Sequence, residues 1–559
     1  MLKKRLLRIL LYILLAICLL VAVVIVFYHL EVRYRVPKPS SEQALSFKRT
    51  LADTNFYTCE KGWLNKSKTG LWELYLEGDP YQRGVANGLL TKELIQRQEK
   101  AFVDQLDKII PSHAYQKFLK YFISYFNRNL DKYVPPEYQL EILGISRFAS
   151  PQYRWIGPDY TRILNYHAAH DIGHAMQNMN LVGCTAFAAW GSKSADTSLI
   201  IGRNFDFYMG DEFSMEKIIC FVHPDSGYNF MMITWGGMIG VVSGMNEKGL
   251  TITLNAAKSS IPYGAKTPVS IVAREILQYA SSIEDAFSIA QKRETFVSEA
   301  FLVGSAHDGK AVIIEKSPEN TAIYDPGTNY LVLTNHFQSD EFRNDPLNIE
   351  NMDNGTSVYR YLRVEEILSQ IPKIDPVIAA SVLRDQKGIG GTDIGLGNEK
   401  SVNQLIAHHS VIFEPSKLLV WVAVPPYQLG PYVCYDLNKV FTEYRKREDK
   451  KELILDEKTI PADSFLYSQG FKDYQTFRKE EARLTSEPST FQPGFEDAFI
   501  SLNPGFYKAY SLTADYYRNS GDYEKAAKNY NLALLKEIAS KYEEDQIKKH
   551  LEDCIDKTK

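Results

Sequence analysis

From Leu71 to Glu77 the chain reads LWELYLE, apolar and polar residues in alternation, the period of a half-buried strand. The period then changes. Across 80–183 the apolar positions fall at helical spacing, most clearly in YQRGVANGLLTKELIQRQEKAFVDQLDKII, and this stretch is predicted to be mainly helical. From Cys184 the strand signal returns. TAFAAWG, SLIIGRNFDF, EKIICFVHP, NFMMITWGG and GVVSGMNEKGLTITLNAA read as successive strands, punctuated by Gly, Asp-Ser-Gly and Asn-Glu-Lys-Gly turns. A helix pair is predicted over 268–292. Further strands follow at AFLVGSA, KAVIIEKS, TAIYDPG and NYLVLTNH, then helices near 356–370 and 376–384, then a hairpin at HHSVIFEPSKLLVWVAV. Strands and helix pairs in blocks predict an α+β fold built in layers.

The two ends read differently. Residues 9–28 are twenty residues without a charge behind the basic cap MLKKRLLR. At 1.5 Å rise they match a hydrocarbon core of ~30 Å. HLEVRYRV, which follows, offers no small-residue cleavage site, so 1–30 is read as an uncleaved cap and transmembrane anchor. The dense cap favours the N-terminus inside and the bulk of the chain on the extracytoplasmic, periplasmic side, as a single-pass membrane protein. Residues 31–70, with VPKPSSEQ, read as a tether. After about 450 the chain is charged and helical, and 451–559 is taken as a C-terminal helical extension. SGDYEKAAKNYNLAL resembles half of a single tetratricopeptide unit. One copy has no neighbour to stack on, so a plain helical appendage, open to a protein partner, is the preferred reading.

Charge and cysteine content narrow the function classes. With 64 Lys and Arg against 68 Asp and Glu, the net charge is −4, and no basic field invites nucleic acid. The six cysteines are scattered without a C-x-x-C, which argues against a zinc ribbon and a disulfide scaffold and leaves an isolated disulfide open for a domain outside the cytoplasm. Cys184, between Gly183 and Thr185, can be a small buried hydrophobe at the start of a strand. It also heads a series: Arg203 and Asp206 in GRNFDF, Asn255 in GLTITLNAA, Asn335 in YLVLTNHF and Arg360 in TSVYRYLR. Each alone has an ordinary structural role open to it, as ion pair, turn cap, strand end or exposed helix residue.

In this order the series resembles the cysteine branch of the N-terminal-nucleophile (Ntn) hydrolases. It is most similar to the autoproteolytic penicillin acyl-coenzyme A acyltransferases, with the choloylglycine hydrolases as cousins, over about 70–440. The resemblance implies a four-layer αββα sandwich and a catalytic domain over 184–450, preceded by the helical segment 71–183. It implies self-cleavage between Gly183 and Cys184, which frees an α-amine on the nucleophile. A thiol with a pKa near 8.5 and an amine near 7.7–8.0 suit each other as nucleophile and base. Arg203 and Asp206 would orient the thiol and amine. Asn255 and Asn335 would donate to the oxyanion, and Arg360 would hold Asp206 or a substrate oxygen. The activity implied is amide hydrolysis or acyl transfer on a small N-acyl amide or acyl donor. No cofactor or metal is called for, acyl-coenzyme A being the co-substrate the resemblance allows.

Two other readings stay open. His167, His170 and His174 share one helix face, with Asp171 nearby, and could serve a metal-dependent hydrolase, although no H-E-x-x-H is present. The chain could also be an inactive anchored scaffold.

Overall fold

The computed structural model describes every residue except 1, 33, 176–182, 209, 259, 261, 444–451, 487 and 493. Among the described residues the strands form two sheets. The longer takes, in spatial order, Thr50–Asp53, Phe56–Cys59, Gly62–Lys66, Trp72–Gly78, Ile218–Pro224, Phe230–Thr234, Ser243–Asn246, Leu250–Ala256, Glu299–Ser305, Lys310–Lys316 and Thr321–Tyr324. The shorter runs Tyr330–Leu333, Thr185–Gly191, Thr197–Phe205, His409–Glu414, Leu419–Ala423, Tyr432–Asp436 and Ile454–Ile460. Described neighbours pair antiparallel, except that Trp72–Gly78 lies parallel to Ile218–Pro224, in register from Trp72 opposite Ile218 to Gly78 opposite Pro224.

Strand alternation sorts the side chains into three cores. Ala186, Leu199, Ile201, Phe221, Ile233, Leu302, Val411 and Val422 form one cluster to which both sheets contribute. The alternate positions of the longer sheet, Ile218, Cys220, Val222 and Ile252, join residues of the helices Pro80–Leu90, Pro136–Ser146, Asp159–Ala175 and Val269–Tyr279. The alternate positions of the shorter sheet, Phe187, Ile200, Ile412 and Trp421, join Val364, Leu368, Ala380 and Leu383 from the helices Ser357–Gln370 and Pro376–Leu383. The period-two pattern visible in the sequence is thus used on both faces, as a sheet covered on both sides requires.

The structure departs from the expectations at both flanks. The segment 31–70, read as a tether, holds the first three strands of the longer sheet. Phe56, Trp63 and Leu64 are buried there, and Trp63 stacks on Tyr75 at 5.8 Å. Ile454–Ile460, in the stretch read as helical, is an edge strand. Its ends Ile454 and Ile460 are buried and its middle is exposed, so it lacks a continuous apolar face. Beyond it lie the helices Gln469–Ser486, Tyr507–Ser520, Tyr523–Leu534 and Lys541–Thr558, with their own aromatic core including Phe477, Phe499, Tyr507, Tyr517 and Tyr530. At the other end Leu2–Glu31 is one helix, and Arg5–Tyr28 is long and apolar enough to cross a membrane.

Candidate active site

Cys184 is buried just ahead of the strand Thr185–Gly191, which lies beside Thr197–Phe205. That pairing brings Arg203 alongside. Its Nη2 donates toward the Cys184 Sγ at 3.6 Å. The same guanidinium donates to the backbone carbonyls of Val242, at 2.9 Å, and Leu254, and to the Ser243 hydroxyl, all on the other sheet side. His409 Nε2 lies 2.8 Å from the Ser243 Oγ and 3.4 Å from Arg203 Nη1, and its Nδ1 lies 2.9 Å from His408 Nδ1.

Arg360 arrives from the helix Ser357–Gln370. Its Nη1 donates to the Cys184 carbonyl at 2.5 Å and to the Thr185 hydroxyl at 2.9 Å, and its Nη2 to Asn335 Oδ1 at 2.7 Å. Arg203 and Arg360 are both fully buried, and among the described residues neither has a carboxylate within hydrogen-bonding distance. Elsewhere the buried Arg83 and Arg274 share the carboxylate of Glu141, at 3.1 and 3.2 Å. Burying a guanidinium without a hydrogen-bonded anion is costly, and here the opposite charges, Asp206 for both arginines and Glu299 for Arg203, act through space only. Burial draws Arg203 down from its ordinary value and Arg360 down to about 10.

Asp206 follows the end of the Arg203 strand. Its carbonyl accepts from the Gly183 N–H at 2.9 Å. Its carboxylate is buried with no hydrogen-bond partner among the described residues. Burial raises it to about 7, against the pull of Arg360 and Arg203. Burial likewise pushes the Cys184 thiol up to about 11, with Arg203 opposing. A thiol held that high needs a base before it can attack.

The two asparagines form a reciprocal bridge between the sheets. Asn255, on the longer sheet, donates to the carbonyls of Leu333 at 3.3 Å and Thr334 at 2.9 Å. Asn335, just past the strand Tyr330–Leu333 of the shorter sheet, donates to the Ala256 carbonyl at 2.9 Å. Both Asn255 side-chain protons are therefore engaged, whereas Asn335 keeps one.

The fold brings together all six residues of the Cys184 series. Sequence reasoning missed the groups around them: Ser243, His409, Thr185 and Gln404. Gln404 donates to the Gly183 carbonyl at 2.7 Å. A Cβ on Gly183 would fall 2.5 Å from the Gln404 amide nitrogen, so glycine is what lets that bond form. The His-His pair opening a predicted strand was a visible signal for His409. The loop SVNQL around Gln404 carried none.

Of the histidine face, His167 has both nitrogens occupied. Nδ1 donates to the Ile163 carbonyl at 2.8 Å and Nε2 accepts from the Ile239 N–H at 3.0 Å. Burial holds it neutral, near 4. Asp171 accepts from the Val269 N–H. The side chains of His170 and His174 lie outside the described residues.

Residues 192–425 match the family described as acyl-coenzyme A:6-aminopenicillanic acid acyl-transferase, a match that opens just after Cys184 and takes in the other five residues of the series. This region, less than half of the chain, is similar to that family of Ntn enzymes. An uncharacterized protein of Archaeoglobus fulgidus is 27% identical over 288 residues, 48% of this chain and 47% of its own. Protein dcd1B of Dictyostelium discoideum is 21% identical over 276 residues, 46% of this chain and 52% of its own. The chain thus spans about half the length of these relatives. Among solved structures, an N-acylethanolamine-hydrolyzing acid amidase ortholog of Caenorhabditis elegans is 18% identical with a TM-score of 0.30, over 42% of this chain and 93% of that one. A mutant conjugated bile acid hydrolase from Clostridium perfringens is 14% identical with a TM-score of 0.32, over 49% and 95%.

Proposed function

We propose that this protein is a membrane-anchored amide hydrolase or acyltransferase that forms a thioester on Cys184 and matures by cleaving its own chain after Gly183. The observation that carries the reading is the buried cluster itself: Arg203 at 3.6 Å from the Cys184 sulfur, Arg360 on the Cys184 carbonyl, and an unpartnered Asp206 carboxylate beside them. In this reading the three cores belong to a four-layer αββα sandwich, with the site at one end of the sheet pair.

Cleavage resolves two features of the uncut site. It creates an α-amine on Cys184, which takes the thiol proton as the sulfur attacks an acyl carbon. It also supplies a cation for Asp206. Arg203 and Arg360 then stabilise the negative charge that moves between sulfur and oxyanion, together with the remaining Asn335 N–H. Hydrolysis and transfer share this acyl-enzyme and differ in whether water or an amine accepts the acyl group. An apolar pocket lined by Phe102, Tyr166, Phe207, Phe213, Trp235 and Met238, with Phe207 next to Asp206 in the chain, favours an acyl donor with an apolar body.

N-terminal sequencing of the purified protein tests the reading. A chain beginning at Cys184 should be found in the wild type, and Cys184→Ala should remain in one piece. A wild type that stays intact, with its only N-terminus at residue 1, would sink the proposal.

A further inference from the structure

The segment 393–404 is gripped from outside by the C-terminal helices and the turns between them, and it ends at Gln404, the donor on the Gly183 carbonyl. Asn503 makes a reciprocal pair with Leu396, accepting its N–H at 3.0 Å and donating to its carbonyl at 2.8 Å. Asn398 donates to the Glu537 carbonyl at 2.8 Å, Lys400 pairs with the Glu537 carboxylate at 2.5 Å, and Lys508 pairs with Glu399 at 2.5 Å. Leu405, directly after Gln404, has a left-handed backbone with φ 55°. That conformation is strained for a branched residue and persists where surroundings over-determine it. Here they do: the Leu405 side chain is fully buried against Leu429 and against Phe471 and Tyr474 of the helix Gln469–Ser486.

We infer that the C-terminal helices are a positioning element for self-cleavage, holding Gln404 as the hydrogen-bond donor to the oxygen on which charge develops at the scissile bond. The inference rests on the self-cleavage proposed above. The Cys184 sulfur, having lost its proton, adds to the Gly183 carbonyl carbon, and the C=O electron pair moves to oxygen, against the Gln404 N–H. Collapse of that adduct breaks the Gly183–Cys184 C–N bond. The nitrogen takes the pair and the proton that the sulfur gave up, becoming the α-amine and leaving a thioester. Water then adds to the thioester and releases the Gly183 carboxylate and the Cys184 thiol.

The test follows cleavage in full-length chains with 2-cyanobenzothiazole, which captures a newly formed N-terminal cysteine. Reactivity of the finished thiol is read separately, from the rate of iodoacetamide labelling at Cys184. Gln404→Leu, and Gln404→Glu as a same-shape variant without the N–H, should each cleave roughly 10²–10³-fold more slowly, the range for one lost oxyanion donor. The fraction that does cleave should alkylate at the wild-type rate. Asn503→Ala and Phe471→Ala should slow cleavage in the same sense by about tenfold. An uncut wild type would refute self-cleavage itself. A cut wild type with Gln404 variants cutting equally fast would overturn the role of Gln404. Slow Gln404 variants with wild-type cleavage in Asn503→Ala and Phe471→Ala would overturn the role of the helices.

Discussion

Asp206 is the residue whose state most constrains the uncut site. Its carboxyl is held at about 7 by burial, above its ordinary 3.8. Between about pH 4 and 7 the unfolded chain has released this proton and the native chain has not. The unfolded state then binds fewer protons, so stability falls as pH rises through that window and levels off above it. In a Cys184→Ala background, which blocks cleavage, Asp206→Asn removes the titration. The urea midpoint of the Asn variant should gain on that of its parent from pH 4 to above pH 7. A gap that stays constant with pH would mean the carboxylate is ionised throughout. At this scale the sequence was informative about residues and silent about their surroundings. Cys184, Arg203 and Asp206 fall within one hairpin, so local spacing exposes them. Gln404 reaches the same cluster from a loop and Ser243 from the start of the strand Ser243–Asn246, and no local pattern marks residues whose partners lie 221 and 40 positions away.

Strands and helices were legible where burial is regular. Thr185–Gly191, Thr197–Phe205 and Glu299–Ser305 alternate between two cores or lie wholly buried, and their patterns read directly as strands. The edge strands at Thr50–Asp53 and Ile454–Ile460 are largely exposed, so hydrogen bonding to a neighbour rather than apolar pattern defines them. The asparagine bridge belongs to this scale as well, because it ties the end of one sheet to the end of the other. The two residues should therefore fail differently. Asn335→Ala removes a free donor, together with the partner of the Ala256 carbonyl and of Arg360 Nη2, and should lower turnover of an N-acyl 4-nitroanilide by roughly 10²–10³-fold. Asn255→Ala leaves the Leu333 and Thr334 carbonyls without their partner. Its larger effect should be faster amide hydrogen exchange over 330–336, with a smaller loss of turnover. Exchange unchanged in Asn255→Ala would argue that it acts on substrate after all.

The anchor proposal makes a whole-molecule prediction. The span Arg5–Tyr28 should keep uncut protein in the membrane pellet through a carbonate wash, whereas removing residues 1–30 should release it. The parallel pairing of Trp72–Gly78 with Ile218–Pro224 decides what happens to the catalytic part afterwards. One strand lies before the cut and the other after it, and they run side by side for seven residue pairs within one sheet. Cut as proposed, the chain would be a two-piece molecule whose halves are joined by a shared ladder and a shared core, with the anchored half as tether for the other. Its first folding is that of one continuous strand of polymer. Any later unfolding releases two strangers, and reassembly becomes a second-order search that dilution can defeat. Self-cleavage would thus make folding a one-way event: the enzyme's lifetime is set by how slowly the ladder opens, and an enzyme that opens once is lost from the membrane.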